Sequence, residues 1–475
     1  MTTHIRSNNQ TDLNGLLARQ RAAFLTEGPP SLAQRRSALL KLKAAILERQ
    51  DEIKKALISD FGHRSPHETA IMEVMTLIHS INYQHRNLRR WMRPEKRSVP
   101  MHFQPARAWV AYQPLGVIGV MSPWNYPLSL ALMPLATALA AGNRVMIKPS
   151  EFTPASSTLL KQLISDTFTP EQVAVVMGDA SVGQAFSTLP FDHLVFTGST
   201  EVGRSVMKAA SENLVPVTLE LGGKSPVIIE QGHSICHAAT SIAHGKLANS
   251  GQICIAPDYV LVHQDALEPF VTEYDKAVRN LYPEGPTSDQ YTSVINERHY
   301  NRLKALLGDA RERGARVIEV GHKAHEAEQR PHTLAPSLVL GATGEMRILQ
   351  EEIFGPVLPI LSYQELDEAI AYVNARPRPL ALYYFGGKGA NLRKVLAQTV
   401  SGNVTVNNTL MHYAQEDLPF GGVGPSGIGA YHGKEGFKAL SHAKGVFQQG
   451  RWNMSGVLRP PFGGIANLIL KVMVR

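Results

Sequence analysis

Between residues 115 and 197 the chain repeats one rhythm, and no other feature narrows the fold as much. Apolar runs at 116–121, 144–148, 174–177 and 193–196 read as buried strands, with helical patterns at 128–141 and 157–167 between them. Strands that alternate with helices pair in parallel as a rule, and a parallel sheet is covered by helices on both faces. The expected class is α/β. Sheets of this kind bind ligands beyond the carboxyl ends of their strands. The loops after three of these runs carry Asn125, Lys148 and Gly198.

The flanking segments read differently. Residues 13–24 form a short helical pattern broken at Gly28-Pro29-Pro30, and Ser31-Leu32-Ala33-Gln34 has the form of a capping box that opens a long helix to about residue 59. A further helix is expected over 67–92, ended by Pro94. Residues 98–114 hold three prolines and alternate loosely, which suits extended edge structure. A second α/β set begins at 225–229 and 259–262, and turn-rich segments follow to about 335. A chain of 475 residues exceeds one ordinary core, and it has no internal repeat or free linker. Two or three interwoven domains are expected.

Composition excludes several classes. Two cysteines, Cys236 and Cys254, rule out a disulfide framework and point to a reducing compartment. The polar start lacks the apolar core of a signal peptide, and no apolar run reaches the roughly 18 residues of a spanning helix. A cytoplasmic protein is expected. The net charge of +8 is partly concentrated at 85–97, which lacks a nucleic-acid motif and reads better as a solvated helix face or a subunit contact. The apolar tail at 465–475 is too short to span a bilayer; docking onto its own chain or a partner subunit is the preferred reading over an interfacial anchor.

The chemistry gathers around Asn249-Ser250-Gly251-Gln252-Ile253-Cys254, a cysteine set among small and turn-forming residues. Thirty-four residues upstream, Glu220 ends an apolar run and precedes Gly222-Gly223. A thiol that reacts as its thiolate, plus a carboxylate in apolar surroundings, is half of a covalent mechanism. Each remaining motif has a bland alternative. Phe196-Thr197-Gly198-Ser199-Thr200-Glu201-Val202-Gly203 follows a strand and opens a helix, as a phosphate site does, yet a plain turn reads the same way. Lys148 and Glu151 suit ribose hydroxyls or a surface loop. Asn125 could hold an oxyanion or serve a turn, and Glu352 with Phe354 could meet a dinucleotide or be cap and core. Cys236 sits in a helical pattern, where a small buried hydrophobe is expected. No metal-ligand spacing is present.

Taken together and in this order, Pro123-Trp124-Asn125, Lys148-Pro149-Ser150-Glu151, Leu219-Glu220-Leu221-Gly222-Gly223, Gly251-Gln252-Ile253-Cys254, Glu352-Ile353-Phe354-Gly355-Pro356 and Pro419-Phe420-Gly421-Gly422 resemble the aldehyde dehydrogenase superfamily. The Cys254-to-Tyr259 continuation and His432-Gly433-Lys434 resemble its class 3 branch, and residues 60–68 and 459–463 its bacterial coniferyl aldehyde dehydrogenases. The resemblance implies a Rossmann-like cofactor domain (1–97 and 115–221), an α/β catalytic domain (222–420), a small β bridging and oligomerisation element (98–114 and 440–450) and a tail (451–475). It implies Cys254 as nucleophile, Asn125 in the oxyanion hole and Glu220 as the base that hydrolyses the thioester to a free acid. Lys148, Glu151, Gly198, Ser199, Gly203, Glu352 and Phe354 would hold NAD, with NADP as an alternative. Tyr126, His412 and Tyr413 would line the substrate channel. A homodimer is implied, with a small aldehyde as substrate and neither nucleic acid nor membrane as partner. Coniferyl aldehyde or a related aryl aldehyde is the expected substrate; medium or long aliphatic aldehydes, and a non-catalytic structural role, are the alternatives.

Overall fold

The computed structural model describes residues 12–451, 456–457 and 459–474, so the polar start at 1–11 lies outside the described residues. The expected α/β class is what the chain forms. The first sheet has six strands: β3 (Val117–Met121), β4 (Arg144–Lys148), β5 (Val173–Val175), β6 (His193–Thr197), β7 (Val217–Glu220) and the two-residue β15 (Gly427–Ile428), in the order β15-β7-β6-β3-β4-β5. Its strands are parallel except β15, which runs antiparallel to β7 and sets Gly427 opposite Glu220. The helix Ser129–Ala141 is apolar all round and buried along its whole length, as such a helix must be.

The second sheet comprises β8 (Pro226–Ile229), β9 (Tyr259–His263), β10 (Arg316–Glu319), β11 (Ser337–Leu340), β12 (Val357–Tyr363), β13 (Ala381–Phe385) and β14 (Asn403–Val406). Their order is β10-β11-β12-β9-β8-β13-β14, with only β10 antiparallel. Residues 221–225 therefore carry the chain from the carboxyl end of β7 to the amino end of β8. The cleft between the sheets is bordered by carboxyl ends on one side and amino ends on the other. A third sheet of β1 (Glu95–Arg97), β2 (Ala106–Pro114) and β16 (Ser441–Gln449) pairs the proline-rich segment with a strand from near the other end of the chain, in register from Ala106↔Gln449 to Pro114↔Ser441.

The helices depart from the sequence reading in three respects, two in their winding and one in the face they bury. The capping box forms, with Ser31 and Gln34 bonding reciprocally, but the helix it opens stops at Glu48 and a second, Gln50–Phe61, starts after Arg49 leaves helical geometry. The segment expected as one helix from 67 is wound as a π-helix over Thr69–Met75 before the α-helix Thr76–Trp91. Cys236 is exposed, contrary to expectation. The buried face of the helix Ile235–Leu247 is Ala238, Ala239, Ile242 and Ala243, and that period puts position 236 on the solvent side.

The basic stretch behaves as a solvated face: Leu88 and Trp91 are buried while Arg86, Arg89 and Arg90 are exposed. The tail helix Gly464–Met473 leaves most of its apolar side chains uncovered by its own chain. Ala466 is buried, but Ile465, Leu468, Leu470 and Val472 face solvent. Among the described residues no helix is long and apolar enough to cross a membrane.

Candidate active site

The helix Ile235–Leu247 ends shortly before the loop that carries Cys254. There Asn249 and Ser250 adopt left-handed backbone (φ 48° and 53°), a conformation that costs about 1 kcal/mol or more for a residue with a side chain. Gly251 follows at φ 73°, and a Cβ on it would stand 2.3 Å from the carbonyl oxygen of Gly355, so only glycine fits. Gln252 ties the loop down from inside: its Nε2 donates to Asn249 O (2.9 Å) and Ser293 O (3.1 Å), and its Oε1 accepts from Ile295 N (2.9 Å). This holds Cys254 between buried Ile253 and Ile255 with its side chain partly accessible. Burial pushes the thiol up, and the charges of Glu352 and Glu220 push it further; the backbone N–H groups of Cys254 and Ile255 act in the opposite direction. Both carboxylates therefore lie within electrostatic reach of the sulfur.

Asn125 is buried in the loop after β3. Its Nδ2 donates to Gln252 O (3.0 Å), which leaves the second amide hydrogen for a ligand. Its carbonyl accepts from Arg64 Nη1 (2.7 Å) and Asn249 Nδ2 (3.1 Å). Glu220 ends β7, only 3% exposed, and neither carboxyl oxygen has a hydrogen-bond partner. Burial holds its pKa well above the ordinary carboxylate value. In its ionised form a carboxylate so placed is a stronger base than an ordinary one and can take a proton from water.

The cleft between the sheets includes a cavity of about 470 Å3 lined by Thr200, Arg204, Gly222, Lys224, Glu352 and Pro425. Glu352 packs so closely on Gly222 that a Cβ there would meet its Oε2 at 2.2 Å. Lys224 donates to Ile348 O (2.8 Å), Glu351 O (2.9 Å) and Asp258, and Asp258 in turn accepts from Ile353 N (2.9 Å). These bonds join the loop of Glu352 and Phe354 to the segment just after Cys254. Phe354 has φ 50° and meets Trp124 edge-on at 5.3 Å. Across the cleft Ser199 caps the helix Thr200–Ser211, following Gly198, while Lys148 Nζ at the end of β4 bonds Pro149 O (3.0 Å) and Glu151 (3.3 Å). Gly203 lies one turn inside the helix; its N–H bonds Ser199 O (2.9 Å), and a Cβ there would strike Leu221 at 2.6 Å, so it serves close helix–strand packing. A helix N-terminus, a lysine–carboxylate pair and a glycine-cradled glutamate around one cleft fit a dinucleotide. Another cavity, about 410 Å3 and lined by Phe24, Arg35, Lys41, Arg144 and Phe168 among others, lies at the amino end of β4 and contains no motif residue.

Of the three residues expected along the substrate path, Tyr126 and Tyr413 lie within electrostatic reach of the Cys254 thiol, as do Tyr383 and Tyr431. His412 sits one layer back, its Nδ1 on Thr405 Oγ1 (2.7 Å) and its ring stacked on Phe420 at 6.0 Å. Sequence reasoning missed Tyr383, Tyr431 and the packing of the His432 ring against Tyr413, Phe420 and Tyr431. It also missed Arg64, Glu68, Gln252, Lys224 and Asp258, whose partners lie far off in the chain. Among the described residues no group of three or more His, Cys, Asp or Glu is placed to hold a metal ion.

A model of the aldehyde dehydrogenase family matches residues 1–446. A protein of Pseudomonas aeruginosa named "Probable coniferyl aldehyde dehydrogenase" is 51% identical over 464 residues, covering 98% of this chain and 96% of that one. The "Coniferyl aldehyde dehydrogenase" of Pseudomonas sp. strain HR199 is 45% identical, covering 97% and 96%. Among solved structures, the substrate-bound state of Staphylococcus aureus AldH superposes with a TM-score of 0.92 at 37% identity, covering 98% of this chain and 100% of that one. PnpE in complex with nicotinamide adenine dinucleotide superposes with a TM-score of 0.83 at 27% identity, covering 93% and 91%.

Proposed function

This chain belongs to the aldehyde dehydrogenase family, and from that premise we propose that it oxidises coniferyl aldehyde or a close aryl-propenal, with NAD preferred over NADP. Oxidation of an aldehyde to its acid with a nicotinamide cofactor is the family's activity. The observation that carries the site assignment is that Gln252 ties the Asn125 amide to the Cys254 loop while the buried Glu220 carboxyl lies within electrostatic reach of the Cys254 sulfur.

In this reading the Cys254 sulfur adds to the aldehyde carbon, and the negative oxygen that results is held by the free hydrogen of Asn125 Nδ2 and the Cys254 N–H. A nicotinamide held there would supply the hydride acceptor, and loss of hydride from the carbon bonded to Cys254 leaves a thioester. Glu352 and Phe354 would position that end of the cofactor, Lys148 and Glu151 would hold the adenine ribose, and Gly198 with Ser199 would face the pyrophosphate. Glu220 then takes a proton from water, the hydroxide attacks the thioester carbon, and the acid leaves as the Cys254 thiolate is regenerated. A thiol raised by two nearby carboxylates gains most from a cation beside it, which suits attack after the cationic cofactor has bound. Glu151, with about a third of its side chain exposed, disfavours a 2′-phosphate.

Several features support further parts of the reading. β16 leaves nine residues along a sheet edge, with Phe447 53% exposed, which suits pairing in a homodimer. An exposed Cys236 thiol suits a reducing, cytoplasmic setting. The apolar exposed helix Gly464–Met473 favours a second reading, a long-chain aldehyde dehydrogenase working at a membrane surface.

The test is kcat/KM for coniferyl aldehyde, benzaldehyde, hexanal and hexadecanal with NAD and with NADP, beside Cys254→Ala. Preference for coniferyl aldehyde with NAD, abolished by the substitution, supports the proposal. Preference for hexadecanal, enhanced by liposomes, replaces it with the second reading.

A further inference from the structure

The segment from Arg64 to Glu73 brings three ionisable side chains to the site, Arg64 and Glu73 fully buried and Glu68 partly so, and no step of the reaction uses them. Arg64 is 0% exposed. Its guanidinium lies against the rings of Phe61 and Tyr126, 4.6 and 4.9 Å from their centres. Nη1 donates to the carbonyl of Asn125 (2.7 Å) and Nη2 stands 3.8 Å from Glu73 Oε1. Glu73, 1% exposed, uses its other oxygen to accept from Ser129 N (2.6 Å) at the start of the central buried helix. Four residues after Arg64, Glu68 turns to the opposite wall. Both its oxygens accept from Asn249 N (3.2 and 3.1 Å), and Oε2 also accepts from Thr292 Oγ1 (2.7 Å).

Charges buried this deeply cost more than apolar side chains of the same volume, so stability alone does not account for them. The bonds of Arg64 and Glu68 end on the two loops that carry the oxyanion donors. The left-handed turn at Asn249 and Ser250 persists only if its surroundings over-determine it, and the Glu68 carboxylate on Asn249 N does so. The carbonyl of Asn125 is shared by Arg64 and by Asn249 Nδ2, which closes a ring of contacts through both loops.

The geometry points to Arg64 and Glu68 as positioning residues that together set the separation of the two oxyanion donors, Arg64 by fixing the Asn125 loop and Glu68 by fixing the turn before Cys254. This rests on the reading that Asn125 and the Cys254 N–H hold the oxyanion. Neither residue touches substrate. The clamp acts on every reaction that passes through a tetrahedral oxyanion at Cys254, with or without a cofactor.

Two reactions test it on the full-length protein: aldehyde oxidation, and cofactor-free hydrolysis of p-nitrophenyl acetate. In the ester reaction the thiolate displaces p-nitrophenolate, and water then releases acetate from the thioester. Arg64→Met is expected to lower kcat in both by the same factor, roughly ten- to a hundredfold, as for misplaced rather than deleted donors. The KM for NAD should stay unchanged, and added methylguanidinium should restore part of both rates. Arg64→Lys keeps the charge and loses the fork, so it should share the loss; it decides the matter if the Met variant does not fold. Undiminished ester turnover in a folded Arg64 variant overturns the proposal, as does loss confined to the NAD-dependent reaction. Asn125→Ala and Cys254→Ala run in parallel. If either keeps full turnover, the site reading itself fails; if both lose it and the Arg64 variants do not, only the clamp fails.

Discussion

Lys246 lies in the last turn of the helix Ile235–Leu247, 1% exposed, with no hydrogen-bond partner for its Nζ. Burial lowers its pKa from the ordinary 10.5 to about 8; Lys224 pushes in the same direction, while Asp258 and Glu352 oppose it. The carbonyls at the helix end also favour a cation there. The net effect is still unfavourable, and its size follows from linkage. A fall from 10.5 to about 8, at about 1.4 kcal/mol for each pH unit, is a penalty of about 3 kcal/mol. Below pH 8 the ammonium is charged in both folded and unfolded chains, so the whole penalty applies. Between pH 8 and 10.5 the folded protein sheds the proton first and the penalty fades. Lys246→Met keeps a flexible apolar stem and removes the charge, so the variant should be the more stable by about 2–3 kcal/mol at pH 7. The assay is thermal and urea unfolding of both proteins from pH 6 to pH 10.5. A Met variant less stable than its parent at pH 7, or an advantage that does not shrink above pH 8, would refute the reasoning and show that the ammonium is well paired in the fold.

Glu220→Gln should separate the two halves of the reaction. A first turnover giving one equivalent of NADH per site persists, while the steady state falls by roughly 10²–10⁴-fold, as stopped-flow absorbance would show. The same variant should gain stability as pH rises above the ordinary carboxylate range, because the raised pKa penalises the ionised parent there. Glu151→Gln should raise kcat/KM with NADP relative to NAD by roughly three- to tenfold, about the worth of one partly exposed charge, checked by parallel titrations of both cofactors. His432 is 2% exposed with both ring nitrogens unpartnered, and burial lowers its pKa to about 3. The folded protein therefore resists the proton that the unfolded chain accepts, and His432 contributes a loss of stability as pH falls from about 6.5 towards 3, at up to about 1.4 kcal/mol per pH unit. In acid unfolding series, His432→Phe should flatten that slope and leave stability at pH 8 little changed.

Legibility in the sequence followed the range over which each residue acts. Strands β3, β4 and β6 were readable because a buried parallel strand is a local run of apolar residues. Glu220 and Cys254 were readable because their glycine-rich neighbours are adjacent in the chain. The carboxyl-end rule located Asn125, Lys148 and Gly198, but it does not reach Cys254 and Glu352, which precede strands of the second sheet rather than follow them. Gln252 bonds to Ser293 and Ile295, and Glu68 to Asn249, across separations of 41, 43 and 181 residues, which no local pattern encodes. Cys236 was misplaced because its helix is built on alanines, whose weak contrast hides the buried stripe. The π-turns of Thr69–Met75 read as ordinary helix because the two windings share nearly the same apolar spacing.

The antiparallel pairing of β15 with β7 has a consequence for how the protein comes into being. Leu221 N bonds Ser426 O (3.1 Å) and Gly427 is registered opposite Glu220, so the strand that ends in the proposed hydrolytic base is completed by residues about two hundred positions later. On a ribosome, the first sheet can assemble its other five strands while the second is still being made, yet its edge beside Glu220 stays bare until nearly the whole chain has emerged. A nascent or prematurely terminated chain ending before residue 426 would carry Cys254 and Asn125 without a finished base beside them. Hydrolytic competence is thereby tied to completion of synthesis.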